Sequence, residues 1–154
     1  MDHHIEFTVD EIPIAQPRPR AGIRAGHAMV YDKKDHPVHA FRFAVREKAR
    51  QAMDVMGFDV TNDPVTLTAR FYLPRPARLD ALTGRGASRH YAYMACPIWH
   101  GAKPDLDNLL KAVEDALTGV VWHDDAQVCE YGQNTYKQYH ERGGRPRVTI
   151  EAAW

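Results

Sequence analysis

VTLTARFYL, residues 65–73, decides the fold, because no other stretch of the chain alternates so strictly. Val65, Leu67, Ala69, Phe71 and Leu73 fall on one side of an extended chain, the pattern of a half-buried strand. Upstream, Ile5, Phe7 and Val9 repeat the alternation and predict a second strand. Between the two, HPVHAFRFAVREKARQAMDVMG (36–57) changes to a helical period. Val38, Phe41, Val45, Ala49, Ala52 and Met56 form its apolar face, Pro37 suits the first turn and Gly57 the stop. Downstream, Leu106, Leu109, Leu110, Val113 and Leu117 mark a second helix ended by Gly119. The tail from Val128 reads as two strands around a turn at Arg142-Gly143-Gly144-Arg145. The order is strand, helix, strand, long loop, helix and terminal hairpin. It predicts a small α+β fold, with a mixed, mostly antiparallel sheet packed against two main helices.

The totals set the frame. The chain has 154 residues, of which 44% are hydrophobic and 26% charged. That suits one domain over 1–154 with a real core. No apolar run approaches the ~20 residues that span a bilayer. The acidic N-terminus MDHHIEFTVDEI lacks a signal-peptide layout, so a cytoplasmic location is expected. Cys96 and Cys129 form no CxxC pair, which argues against both a disulfide framework and zinc. Internal repeats, P-loops, GxGxxG and GxSxG are all absent from the sequence, so nucleotide hydrolysis and serine-nucleophile chemistry have no motif.

Net charge is zero, but its distribution is uneven. Residues 1–103 carry 15 Lys/Arg and 11 Asp/Glu, residues 104–154 carry 5 and 9. A basic surface around an acidic centre and simple intramolecular balance both fit this asymmetry. The basic groups cluster in three places. AQPRPRAGIRAGHAMVYDKK (15–34) is a Pro/Gly-punctuated loop containing Arg18 and Arg20, with room for a short strand at HAMVY. Arg42, Arg46 and Arg50 stack four residues apart on the first helix, either as a solvated face or as a row that follows a phosphate backbone. The segment 74–102 is a long basic loop of the kind that tends to be functional or mobile, a plain surface loop being the alternative. It contains Arg75, with Lys103 just beyond, and Tyr91, Tyr93 and Trp99 add rings able to stack on bases.

The acidic groups concentrate at KPDLDNLLK (103–111) and HDDAQ (123–127). Each has a structural account when taken singly. One of Asp105 and Asp107 can cap the helix, Lys111 can pair with Asp107 or Asp115, and Asp124-Asp125 can be a turn. The leucine stripe, however, puts Asp107 and Lys111 on the accessible side. If the Asp124-Asp125 turn folds back toward the helix start, three carboxylates meet, and an all-oxygen set favours Mg²⁺ or Mn²⁺. Carboxylate-held Mg²⁺ beside a lysine suits phosphodiester hydrolysis, the lysine either neutralising charge that develops on the phosphate or orienting the attacking water. His100 and His123 are nearby in sequence without a diagnostic spacing.

KPDLDNLLKAVEDALTGVVWHDDAQV (103–128) resembles the signature of the RusA family of Holliday junction resolvases. The shared pattern is a basic residue and Pro-Asp-x-Asp-Asn, a lysine three residues later, Asp-Ala-Leu, and Asp-Asp-x-Gln-Val. The resemblance implies a homodimeric, Mg²⁺-dependent endonuclease, bacterial or phage-encoded, that nicks four-way DNA junctions symmetrically in recombination and repair. It implies catalytic, metal-holding roles for Asp105, Asp107 and Asp125, an essential Lys111, and supporting roles for Asn108 and Asp124. DNA contacts at Arg18, Arg20, Arg42, Arg46, Arg50, Arg75 and Lys103 are expected from charge alone. Two alternatives stay open: a non-catalytic module that binds branched DNA, and a nuclease for flaps or other branched DNA.

Overall fold

The computed structural model describes residues 3–18, 20–24, 26–31, 34–77, 79 and 98–154; side chains of 20–24 and 27–31 lie outside that description. The central strand is the one the sequence put first. Strand β1 is His4–Val9, and β2 (Arg20–Arg24) with β3 (His27–Tyr31) makes a separate two-stranded antiparallel ribbon. HAMVY is therefore a strand, paired with the RAGIR that precedes it. Helix α1 spans Val38–Met56 and β4 spans Val65–Leu73. Helix α2 spans Leu106–Leu117, followed by a 3₁₀ turn at Asp125–Gln127 and strands β5 (Val128–Tyr131), β6 (Tyr136–Tyr139) and β7 (Arg147–Ala153).

Strand β7 lies antiparallel between β1 and β4, with Phe7 opposite Ile150 and Ala69 opposite the same residue. The other edge of β4 takes β5 and β6 in succession, both parallel to it. Five strands thus form a mixed, mostly antiparallel sheet. The turn that separates β5 from β6 bonds back to β4, where Gly132 N donates to Leu67 O at 2.9 Å. A Cβ on Gly132 would come within 2.2 Å of Thr68 Oγ1, so the close approach requires glycine there. Beyond β6, Trp99 bridges to Gln138 and Tyr139 N donates to Ile98 O at 2.9 Å.

The expected terminal hairpin is wrong. Residues 141–144 do turn, with Gly143 at φ 76°. The strands on either side, β6 and β7, pair with opposite edges of β4, so the turn carries the chain across the sheet. The alternation of Val148, Ile150 and Ala152, all fully buried, suits a strand with neighbours on both edges. The residues of β6 are all half-buried, as befits an outer position.

One face of the sheet shares a single core with both helices. It presents Ile5, Val9, Val65, Leu67, Phe71, Leu73, Val148 and Ile150, each no more than 2% exposed. Helix α1 contributes Val38, Phe41, Val45, Ala49 and Met53. Met53 replaces the expected Met56, which is 53% exposed in the last turn of the helix. Gly57 stops α1 in the left-handed conformation, φ 68°, while Phe58 N donates to Met53 O. The opposite face of the sheet is polar. Arg70 bridges Glu6 at 2.6 Å and Glu151 at 3.6 Å, and Arg147 lies 3.9 Å over the Tyr72 ring. Among the described residues no helix is long and apolar enough to cross a membrane.

Candidate functional site

The site is built on α2 and on the turn that follows it. The chain reaches α2 through a cis Lys103–Pro104 peptide. Lys137 of β6 fixes this approach by donating to Ala102 O at 2.7 Å and Pro104 O at 2.6 Å. The N-terminal segment crosses the first turn of the helix, where Gln16 N donates to Asn108 O at 2.8 Å. That crossing brings the Arg18 guanidinium within 3.8 Å of the Asp105 carboxylate.

Asp105 occupies the N-cap position with extended backbone, φ −73° and ψ 145°, but its side chain caps nothing. Only its carbonyl joins the helix, accepting from Leu109 N at 3.2 Å. Asp107 is exposed in the first turn, where the helix dipole favours a carboxylate. Lys111 stands on the same accessible side. Its ammonium pairs with Asp125 across the following turn and with Asp115 at 3.4 Å, not with Asp107.

The turn itself is held by two other residues of the motif. Asp124 accepts from Ala126 N at 2.9 Å, and Gln127 Oε1 accepts from the amides of His123 and Asp124 at 2.9 and 3.0 Å. This is a capping box. The amide group of Gln127 then donates to the carbonyls of Thr61 and Asp63 at 3.0 and 3.1 Å. Trp122, fully buried just before the turn, anchors it from the other side. With Asp124 and Gln127 committed to the backbone, Asp125 alone projects toward α2. The hydrogen bond and charge of Lys111 hold its carboxyl below the ordinary aspartate range, and the Asp125 hydrogen bond raises Lys111 above the ordinary lysine value.

Two of the candidate DNA contacts face inward. Arg42 donates to Asp115 at 3.2 Å and meets His39 at 2.9 Å. Arg46 donates to the carbonyls of Asp115 and Thr118 at 3.4 and 3.1 Å, satisfying the C-terminal end of α2. Arg50 is exposed and pairs with Glu47 at 2.8 Å. Arg75 is half-buried and Lys103 exposed. The Arg20 side chain and residues 80–97 of the long loop lie outside the described residues. His123 contributes its backbone amide to the turn, while the ring of His100 packs on Tyr139 at 4.8 Å.

The donor set fits a hard divalent cation. Asp105, Asp107 and Asp125 are oxygen donors that serve no capping role, and each keeps substantial exposure. They are not gathered around one point, however; among the described residues no three such groups form a metal-holding cluster. Lys111 engages Asp125 instead. Sequence reasoning passed over Glu114, whose buried carboxylate accepts from the Tyr131 hydroxyl. It also passed over the clamp made by Gln127, although Asp-x-x-Gln is a legible capping-box pattern.

The chain has relatives among known proteins. It is 29% identical over 147 residues to "Uncharacterized protein YqaN" of Bacillus subtilis (strain 168), covering 95% of this chain and 93% of that one. The family model described as "Endodeoxyribonuclease RusA" matches residues 11–152. The match takes in β4, both helices and the turn between α2 and β5, so the chain belongs to the RusA endodeoxyribonuclease family.

Proposed function

We propose that this chain is a Mg²⁺-dependent, structure-selective endonuclease that resolves four-way DNA junctions by paired symmetric nicks. The observation that carries the reading is the Lys111–Asp125 ion pair, which joins the two halves of the acidic motif across the turn. Membership of an endodeoxyribonuclease family supplies the reaction class. Asp105, Asp107 and Asp125 would hold the cation, and Mn²⁺ would substitute for Mg²⁺. When bound, such a cation supplies Lewis acidity at the scissile phosphate and activates water. Lys111, turned from Asp125 toward the substrate, donates to a non-bridging phosphate oxygen and offsets the charge that builds there. Asp124 and Gln127 position Asp125, and Asn108 supports the first turn of α2.

DNA binding through phosphates and junction shape makes affinity fall steeply with salt. Arg18 leads the proposed contacts because it already lies beside Asp105. Arg50, Arg75 and Lys103 extend the basic surface, Arg20 is included on charge alone, and Arg42 and Arg46 act through α2. A homodimer matches the two-fold symmetry of a junction cut on opposed strands. The test is a synthetic four-way junction with linear duplex and flap controls, in Mg²⁺ and in EDTA. Paired nicks only with metal are expected; no cleavage of any branched DNA overturns the reading. Cutting of flaps in preference to junctions replaces it with a flap nuclease. Sedimentation at micromolar concentration checks the dimer, and a persistent monomer overturns it.

A further inference from the structure

Glu114 is a buried carboxylate. It sits on α2 between Val113 and Leu117 with only 8% exposure. Buried carboxylates carry a desolvation cost unless they are partnered, and a leucine would fill this position without it. Its partner is Tyr131 of β5, whose hydroxyl donates to Glu114 Oε1. Burial, then the Glu114 carboxylate, push the Tyr131 phenol up to about 12. The tyrosine therefore keeps its proton at any working pH, and the direction of the bond is fixed.

The position of this pair gives it a role. Glu114 lies seven residues after Asp107 and three after Lys111, so all three run along one line of α2. Tyr131 stands on the strand that issues directly from the Asp125–Gln127 turn, and its phenol feels the charges of both Lys111 and Asp125. The bond thus ties the helix bearing Asp107 and Lys111 to the segment bearing Asp125. In this structure the Lys111–Asp125 ion pair ties the same two segments. A cation that takes Asp125 breaks that direct link. The Gln127 clamp does not replace it, because it fastens the turn to residues 61–63 and not to α2.

We propose that the Tyr131–Glu114 hydrogen bond is a positioning brace of the catalytic centre, holding β5 against α2 so that Asp125 stays in place when it exchanges Lys111 for a divalent cation. The inference rests on the reading of Asp125 as a metal-holding residue. Both side chains are positioning residues; neither touches substrate.

The test measures Mn²⁺ binding to the full chain by calorimetry without DNA, alongside junction affinity in EDTA. Tyr131→Phe should weaken Mn²⁺ binding about tenfold, the scale of removing an outer partner of a metal ligand. Junction affinity should stay within about twofold. Glu114→Gln keeps an acceptor for the hydroxyl and should lose less than about threefold. The double variant Y131F/E114L replaces the pair with apolar groups and avoids an unpartnered buried carboxylate, so it remains informative if the single variant unfolds. It should show the same tenfold loss. Wild-type Mn²⁺ affinity in Y131F or in the double variant overturns the brace, whatever happens to the melting temperature. Asp125→Asn is the separating arm: if it binds Mn²⁺ like wild type, the metal reading of Asp125 fails and the brace falls with it.

Discussion

Two aspartates occupy cap positions, Asp105 before α2 and Asp124 before the 3₁₀ turn, and they behave oppositely. Asp124 accepts from a backbone amide and completes a capping box with Gln127. Asp105 has the extended backbone of a cap residue, yet its carboxylate leaves the helix amides alone and faces Arg18. The same residue type in the same kind of position serves the backbone in one case and stays available in the other. Freedom from capping bonds is the difference between the carboxylates proposed for chemistry and the one that holds the turn. By that criterion Asp105, Asp107 and Asp125 group together and Asp124 stands apart.

The largest effect should come from the available set. Asp107→Asn and Asp105→Asn should each lower junction cleavage by at least about 10²–10³-fold, the scale of losing one preorganised charge-stabilising group. Melting temperature should hold, because neither carboxylate makes a cap bond. A variant at Asp105 that loses stability but keeps cutting would reverse the comparison. Lys111→Met should lose about 10²-fold in rate while junction affinity survives.

Asp124→Ala should do the reverse. Loss of an N-cap typically costs about 1 kcal/mol, or roughly 2–4 °C for a chain of this length. Cleavage should fall by only about tenfold, as Asp125 loses its support. Gln127→Ala should match it, since the same box and the clamp to Thr61 and Asp63 are lost. If Asp124→Ala abolishes cutting with an unchanged melt, Asp124 belongs with the chemical set after all.

The legible parts of the molecule were those whose burial leaves a period. Strands β1 and β4 and both helices could be read because one side of each faces the core. The two strands expected in the tail are three: VCEY is mostly exposed and YKQY is half-buried throughout, so neither alternates and no pattern marks the break between β5 and β6. Their parallel pairing with β4 also joins residues more than 60 positions apart, which no local pattern encodes. The arginine row shows the same limit for charge. Arg42, Arg46 and Arg50 are evenly spaced in sequence, but two of them meet α2 and one meets solvent. The acidic motif was legible as a set, while the division of labour between Asp124 and Asp125 needed the backbone amides to be located.

The smallest effect concerns the Lys111–Asp125 pair in the absence of metal. Its hydrogen bond lowers the Asp125 pKa below the ordinary aspartate value of 3.8 and raises Lys111 above the ordinary 10.5. A depressed carboxyl contributes stability that is present above its unfolded value and lost as pH falls through the folded one. A raised ammonium contributes stability that is present below its unfolded value and lost as pH rises through the folded one. The pair is therefore worth most between those two ordinary values, and it weakens on the acid side below 3.8 and on the alkaline side above 10.5. Both side chains are more than two-fifths exposed, so solvent and salt screen the pair to about 0.5 kcal/mol. In EDTA at pH 7, the double variant K111M/D125N should melt within ~1–2 °C of wild type, and the gap should narrow as pH falls below 3.8. Saturating Mg²⁺ sharpens the comparison by taking the chemical carboxylate and leaving the structural one alone. It should stabilise wild type and the Asp124→Ala variant by similar increments, and leave Asp125→Asn nearly unmoved. An increment for Asp125→Asn equal to that of wild type would place the cation elsewhere.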